Sequence, residues 1–301
     1  MKTIAALKAD VFLQPEYLQK FKAVKRLSEK TMSRCVFCGT GDSFAAAMLA
    51  EAFSDYRARA LDPLDAIKNR MLLKDKKVYF VSISGNTISN IKAARLEKNA
   101  TAITKNLSSR LAKACNGAIA LRYRDSGVLT SGSIGFLASA LTCISLVKSF
   151  MIKNPQRLFN LAESAAKKIT PKNTVFILGD QHTYPIAMYG AAKMYEVLGH
   201  DAHYERIEQF SHMGMFAARR GDTVIILEQK NKHSLRLARH LGKLGLRVHH
   251  PSIAANQVEQ VVFYTFVLQL VALNVATKMH LSDCHFVTSK KIRGASSAMI
   301  Y

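Results

Sequence analysis

Acidic residues are scarce in this 301-residue chain: 21 aspartates and glutamates stand against 43 lysines and arginines, a formal net charge of +22. That imbalance creates a field that attracts phosphates, nucleic acid and acidic surfaces alike, and it does not choose among them. Cysteine is sparse too. Cys35, Cys38, Cys115, Cys143 and Cys284 form an odd set without regular spacing, and no secretory apolar segment follows Met1. A disulfide framework is therefore not expected, and a reducing cytoplasm is. Cys35-Val36-Phe37-Cys38 has zinc-knuckle spacing, but no second Cys or His pair follows at a matching interval and the segment reads as a strand. Buried thiols are expected there. None of the ten histidines, the pair His249-His250 included, has ligand spacing, so no metal is expected. Long hydrophobic runs are also missing. Ile134–Val147 and 261–276 both contain Ser, Thr, Gln or Asn, and both fall short of the ~20 residues a bilayer helix requires. They read as core helices, with no membrane partner.

What remains is ordinary globular material, 49% hydrophobic and 21% charged, of a size for one large domain or two similar ones. Residues 1–32 form an amphipathic helical lead-in, with Leu7, Val11, Phe12, Leu18, Phe21 and Val24 at roughly helical intervals. A strand at 33–39 runs into Gly39-Thr40-Gly41-Asp42-Ser43 and then an alanine-rich helix over 44–53. The same order recurs at 77–82, the loop Ile83-Ser84-Gly85-Asn86-Thr87 and a helix over 88–97, and again at 101–104 and 107–115. Short strands alternating with helices imply a parallel sheet covered on both faces. After a linker at 154–173, the pattern restarts. Strands are predicted at 174–178, 202–204, 223–227 and 246–249, with helices over 185–198 and 234–241. Val36-Phe37-Cys38-Gly39 beside Phe176-Ile177-Leu178-Gly179 suggests an internal duplication of about 140 residues. The predicted class is α/β: two tandem domains, 33–153 and 174–280, each a flavodoxin-like three-layer sandwich, with a tail over 281–301.

Ser82-Ile83-Ser84-Gly85-Asn86-Thr87 sits where a strand hands over to a helix, so hydroxyls and backbone N–H groups converge there as an anion cradle. Ser and Thr are also ordinary loop and cap residues. The companion loop at Gly39-Thr40-Gly41 favours the cradle, because loops at neighbouring strand ends face one crevice. No Walker lysine follows and GxGxxG spacing is absent, which disfavours a nucleoside triphosphate or a dinucleotide. Lys193 and Glu196 lie three apart on one helical face, where the ammonium can hold the carboxylate in place and keep it charged, although a solvated pair reads the same way.

Ser-x-Ser-Gly-x-Thr after a strand resembles the phosphosugar signature of sugar isomerase (SIS) domains. Gly179-Asp180-Gln181-His182-Thr183-Tyr184-Pro185, continuing through Lys193-Met194-Tyr195-Glu196, is similar to the isomerase portion of glutamine-dependent glucosamine-fructose-6-phosphate aminotransferases, and His212 follows Glu196 by sixteen residues as in that family. The resemblance spans residues 33 to 291 and implies specific roles. Glu196 would move a proton between C1 and C2, a task suited to a carboxylate of raised pKa. His212, reaching in from a neighbouring subunit of an obligate homodimer, would assist ring opening. Lys290, or the adjacent Lys291, would form a Schiff base. Thr40, Ser82, Ser84 and Thr87 would bind the phosphate, Gly39, Gly41 and Ile83 would line the sugar, and Thr130 or Ser131 would form the far wall. No cofactor is implied.

Departures from the family pattern fall at Ile83, where Gln is common; at Ser211, which replaces a Lys; at Met213-Gly214, which replace Gly-Pro; and at Ser282-Asp283-Cys284-His285-Phe286. The chain opens Met1-Lys2-Thr3 without the glutaminase cysteine, so the expected activity is that of a glucosamine-6-phosphate deaminase. The alternatives are another aldose–ketose isomerase, a fructosamine-6-phosphate deglycase, or a non-catalytic sugar-phosphate sensor. With no helix-turn-helix or aromatic-plus-basic pattern and with cations spread along the chain, no nucleic-acid partner is expected.

Overall fold

The structure is a computed structural model describing residues 1–300. The chain divides into two compact units. One holds Lys20–Arg124, Ile134–Met151 and the chain from Lys290 onward; the other holds Met1–Gln19, Asp125–Ser133 and Ile152–Ser289.

The first unit carries β1 (Cys35–Cys38), β2 (Arg59–Leu61), β3 (Lys77–Val81), β4 (Ala100–Thr104) and β5 (Gly117–Ala120) in the order β2-β1-β3-β4-β5. The second carries β6 (Val175–Leu178), β7 (Ala202–Glu205), β8 (Thr223–Ile226) and β9 (Arg247–His249) in the order β7-β6-β8-β9. Every pairing is parallel. The central strands β1 and β6 are buried at every position, because helices cover the sheet on both sides. In the β1–β5 unit, Val36, Cys38, Val78 and Phe80 pack with Ala66, Ile91 and Leu111. In the β6–β9 unit, Phe176, Leu178, Val224 and Ile226 pack with Phe210 and Leu241.

The second order is the first with its last strand missing, so the internal duplication read from sequence is present in the topology. Two glycines show the same duplication at atomic scale. A Cβ on Gly39 would meet the Ser43 carbonyl oxygen at 2.5 Å, and one on Gly179 would meet the Thr183 carbonyl oxygen at 2.6 Å. Each strand thus enters its helix through the same close turn.

Several elements differ from expectation. The edge strands β2 and β5 were not anticipated, being three and four residues without a β-branched run. The apolar run at 261–276 belongs to a 22-residue helix, Gln257–Lys278, which is long and apolar enough to cross a membrane. Length therefore does not mark it as core, but burial does: 83% of its most apolar window is buried within the protein. All five cysteines are free, four of them buried, and burial pushes the Cys35 thiol up to about 11.

Candidate active site

The helix Tyr184–Lys193 does not continue in α geometry to residue 198. Met194–Leu198 is a π turn, closed by Gly199 in the left-handed region at φ 63°. A Cβ there would also meet the His285 ring at 2.6 Å, so glycine is required both by conformation and by packing. Glu196 sits in this wider turn, immediately after the last α-helical residue, Lys193. Such π turns recur at functional sites because the extra residue re-aims a side chain.

Lys193 is 1% exposed, and all three of its N–H donors are used. Its Nζ donates to Glu196 Oε2 at 2.8 Å, to Ser131 Oγ at 2.9 Å and to the Gly132 carbonyl at 3.0 Å. Ser131 Oγ in turn donates to the same Oε2 at 2.6 Å. Behind this triad runs a buried chain: Gln14 donates to Gln269 at 2.7 Å, Gln269 donates to the Tyr189 hydroxyl at 2.9 Å, and Tyr189 donates to Gly132 O at 2.7 Å. The Tyr189 ring also lies 4.8 Å from the ammonium. Every donor in the network finds an acceptor, so it fixes the Lys193 head rigidly. Glu196 itself is 39% exposed, and its Oε1 makes no hydrogen bond among the described residues. One carboxylate oxygen is clamped and the other is free to accept a proton.

The protonation state differs from the raised pKa that the resemblance implies and agrees with the Lys193–Glu196 spacing, which points to a charged carboxylate. Burial alone would raise the Glu196 carboxyl, as expected of a tuned base, but the Lys193 charge and the hydrogen bonds from Lys193 and Ser131 outweigh it. The carboxyl is held below the usual range and stays ionised. Tyr189, Gln269 and Gln14 were not singled out from sequence. For Gln14 and Gln269 the only signal was an amide among apolar residues, and for Tyr189 there was none.

In the β1–β5 unit, β1 and β3 are neighbours, with Cys38 opposite Phe80. The loops that follow them, Gly39–Gly41 and 82–87, therefore leave adjacent carboxyl ends at the point where strand order reverses. The Ser82 and Thr87 hydroxyls, nearly buried, lie 3.2 Å apart, Gly85 N–H donates to Ser82 Oγ at 3.2 Å, and Asn86 N–H donates to Ser84 Oγ at 3.3 Å. Thr87 does not cap the following helix, which is only seven residues long, so the hydroxyls and loop amides rather than a long dipole make the cradle. Ile83 packs against Gly135, where a Cβ would meet its Cδ1 at 2.9 Å. Gly85 has φ 67°, and a Cβ there would lie 2.1 Å from Ser109 Oγ. Gly85→Ala is expected to cost about 1–3 kcal/mol, read as a lowered melting temperature.

The remaining site candidates are spread more widely. Thr130 donates to the Thr3 carbonyl at 2.8 Å and serves the amino-terminal helix, whereas its neighbour Ser131 holds Glu196. His212 ends the helix Ile207–His212, is exposed, and pairs with Glu208 at 3.1 Å. Lys290 and Lys291 begin the exposed helix Lys290–Ile300 of the β1–β5 unit. Among the described residues, no group of three or more His, Cys, Asp or Glu could hold a metal ion.

No family model matches the chain, and no curated protein does. Solved structures do. A glucosamine-6-phosphate deaminase from Thermotoga maritima superposes with TM-score 0.77 at 16% identity, over 94% of this chain and 96% of that one. The C-terminal domain of glucosamine-fructose-6-phosphate aminotransferase from Francisella tularensis gives 0.71 at 16% identity, over 90% and 95%. This is the sugar isomerase fold. A tagatose-6-phosphate ketose/aldose isomerase from Escherichia coli has it as well, with TM-score 0.68 at 16% identity over 93% and 90%. In the sugar isomerase fold as this chain builds it, the hydroxyl-lined loops stand at the reversal of strand order in the β1–β5 sheet, and the clamped carboxylate stands in the π turn that ends the helix following β6.

Proposed function

We propose that this chain is a phosphosugar aldose–ketose enzyme and, specifically, a glucosamine-6-phosphate deaminase. The observation that carries the proposal is the Glu196 carboxylate, ionised, with Oε2 fixed by Lys193 and Ser131 and Oε1 unengaged. A proton shuttle needs such an oxygen, within reach of solvent yet held in one orientation. The fold shared with a deaminase and with a ketose/aldose isomerase supports the same chemistry.

In this reading the phosphate is held by Thr40, Ser82, Ser84 and Thr87. Once the ring has opened, Glu196 removes the proton from C2 of the amino aldose and delivers it to C1. The resulting C2 imine is hydrolysed by water, giving fructose 6-phosphate and ammonia. His212 of a second subunit would assist ring opening, and Lys290 or Lys291 would carry a Schiff base to the ketose carbon. Five free cysteines fit a reducing cytoplasm as the site of action.

Coupled assays for ammonia and fructose 6-phosphate over a panel of hexose and hexosamine phosphates test the proposal. Equal yields of ammonia and fructose 6-phosphate from glucosamine 6-phosphate are expected. A ketose phosphate formed without ammonia would assign the chain to the isomerase alternative, and no turnover of any member would refute the enzyme.

A further inference from the structure

The excess positive charge has a local centre. A cleft of about 820 Å³ opens in the β1–β5 unit where β1, β3 and β4 begin. Because the strands are parallel, this is the end of the sheet opposite the loops at Thr40 and 82–87. Seven cationic side chains line the cleft, Arg34, Arg70, Lys74, Lys76 and Lys98 among them, against only two carboxylates, Asp75 and Glu97. None of the seven is in a salt bridge among the described residues. The carboxylates do not quench them: burial and the neighbouring Asp75 charge hold Glu97 above its ordinary value, the reverse of what a close cation would do.

The backbone beneath these cations is pinned to the sheet. The Arg34 carbonyl accepts from Lys77 N–H at 2.9 Å, the Asn99 carbonyl accepts from Val78 N–H at 3.1 Å, and Lys76 N–H donates to Leu73 O at 3.0 Å. Like charges gathered on a fixed rim repel one another, so an anion that bridges several of them relieves a cost already present in the free protein. No aromatic side chain lines the cleft to stack a base, and its apolar lining is Met71 and Leu96. A single phosphate would leave most of the cations unused.

We propose that this cleft binds a linear polyphosphate group of three or more phosphates, either free or as the tail of a nucleotide. The proposal is independent of the phosphosugar reading, which concerns the other end of the sheet.

Calorimetric titration of the full chain with inorganic tripolyphosphate tests it, with ATP, glucose 6-phosphate and a duplex oligonucleotide in parallel. Tripolyphosphate is expected to bind at least about tenfold more tightly than the monophosphate. The affinity should fall by about tenfold between roughly 50 and 200 mM salt. Equal affinity for ATP would mean that the cleft reads phosphates alone; tighter ATP binding would place the nucleoside in it as well. The triple variant Arg34→Ala/Arg70→Ala/Lys74→Ala should weaken tripolyphosphate binding at least about tenfold, whereas Arg236→Ala/Arg239→Ala/Lys243→Ala, equal in charge on another exposed helix, should change it less than about twofold. All six positions are exposed, so both variants should fold. Equal losses in the two variants, absence of tripolyphosphate binding, or binding of the duplex alone would overturn the proposal.

Discussion

Glu196→Gln is expected to lower kcat by about 10²–10⁴-fold while leaving hexose-phosphate affinity within about threefold. The amide keeps the shape of the carboxylate and can still accept from Lys193 Nζ and Ser131 Oγ through one oxygen, so the turn that holds residue 196 should persist. What disappears is the lone pair that would take a proton, together with the negative charge facing a buried ammonium. The hydroxyls of Ser82, Ser84 and Thr87, which the proposal assigns to the phosphate, belong to another loop and are untouched. A coupled rate assay, calorimetric titration and a melting curve on one preparation separate loss of chemistry from loss of fold. Wild-type turnover in this variant would remove Glu196 from the reaction.

Lys193→Met is the second large expectation, and it acts on both stability and pH dependence. Removing one partner of a fully buried ion pair costs about 3–5 kcal/mol. Glu196 is 39% exposed, however, and water can solvate it when the ammonium is gone, so about 1–3 kcal/mol is expected here. In the native protein the Glu196 carboxyl lies below its ordinary value of 4.5. Its pairing therefore contributes stability at pH values above the unfolded carboxylate range, and that contribution is lost as pH falls through the folded value. With methionine at 193, burial is opposed only by the Ser131 hydrogen bond and the carboxyl rises from its native value. The stability gap between the two proteins should thus be widest near neutrality and close as the medium is acidified. The acidic limb of kcat should move upward in the variant. Denaturant titrations at a series of pH values and a pH–rate profile read the two effects separately.

Local chemistry made much of this legible. Gly39 and Gly179 mark close turns that only glycine permits, and with the apolar quartets before them they revealed the duplication. The tight loop at 82–87 could be read because hydroxyls and a glycine that adopts positive φ occupy a single short segment. What the chain conceals is whatever depends on distant partners. The π turn under Glu196 leaves the apolar periodicity of residues 184–198 unchanged, so nothing in the sequence distinguishes it from a continuing α-helix. The direction of the Glu196 shift turned on Ser131, 65 residues away, and on the fully satisfied Lys193 head. The i,i+3 spacing of Lys193 and Glu196 already points to a carboxylate kept charged, whereas the role implied by the family resemblance points to a raised pKa. The basic cleft was hidden in a similar way. Its cations are dispersed along the chain, and only the shared amino-terminal edge of β1, β3 and β4 gathers them.

Proton exchange at the substrate carbon tests the central claim most directly. When the protein is incubated with glucosamine 6-phosphate in deuterium oxide and followed by proton NMR, deuterium should appear at C1 of the fructose 6-phosphate to the extent that the half-exposed Glu196 carboxyl exchanges the C2 proton with solvent before delivering it. The label should be absent when glutamine replaces Glu196. Wild-type turnover by the glutamine variant, or labelling that survives the substitution, would contradict a carboxylate shuttle at residue 196.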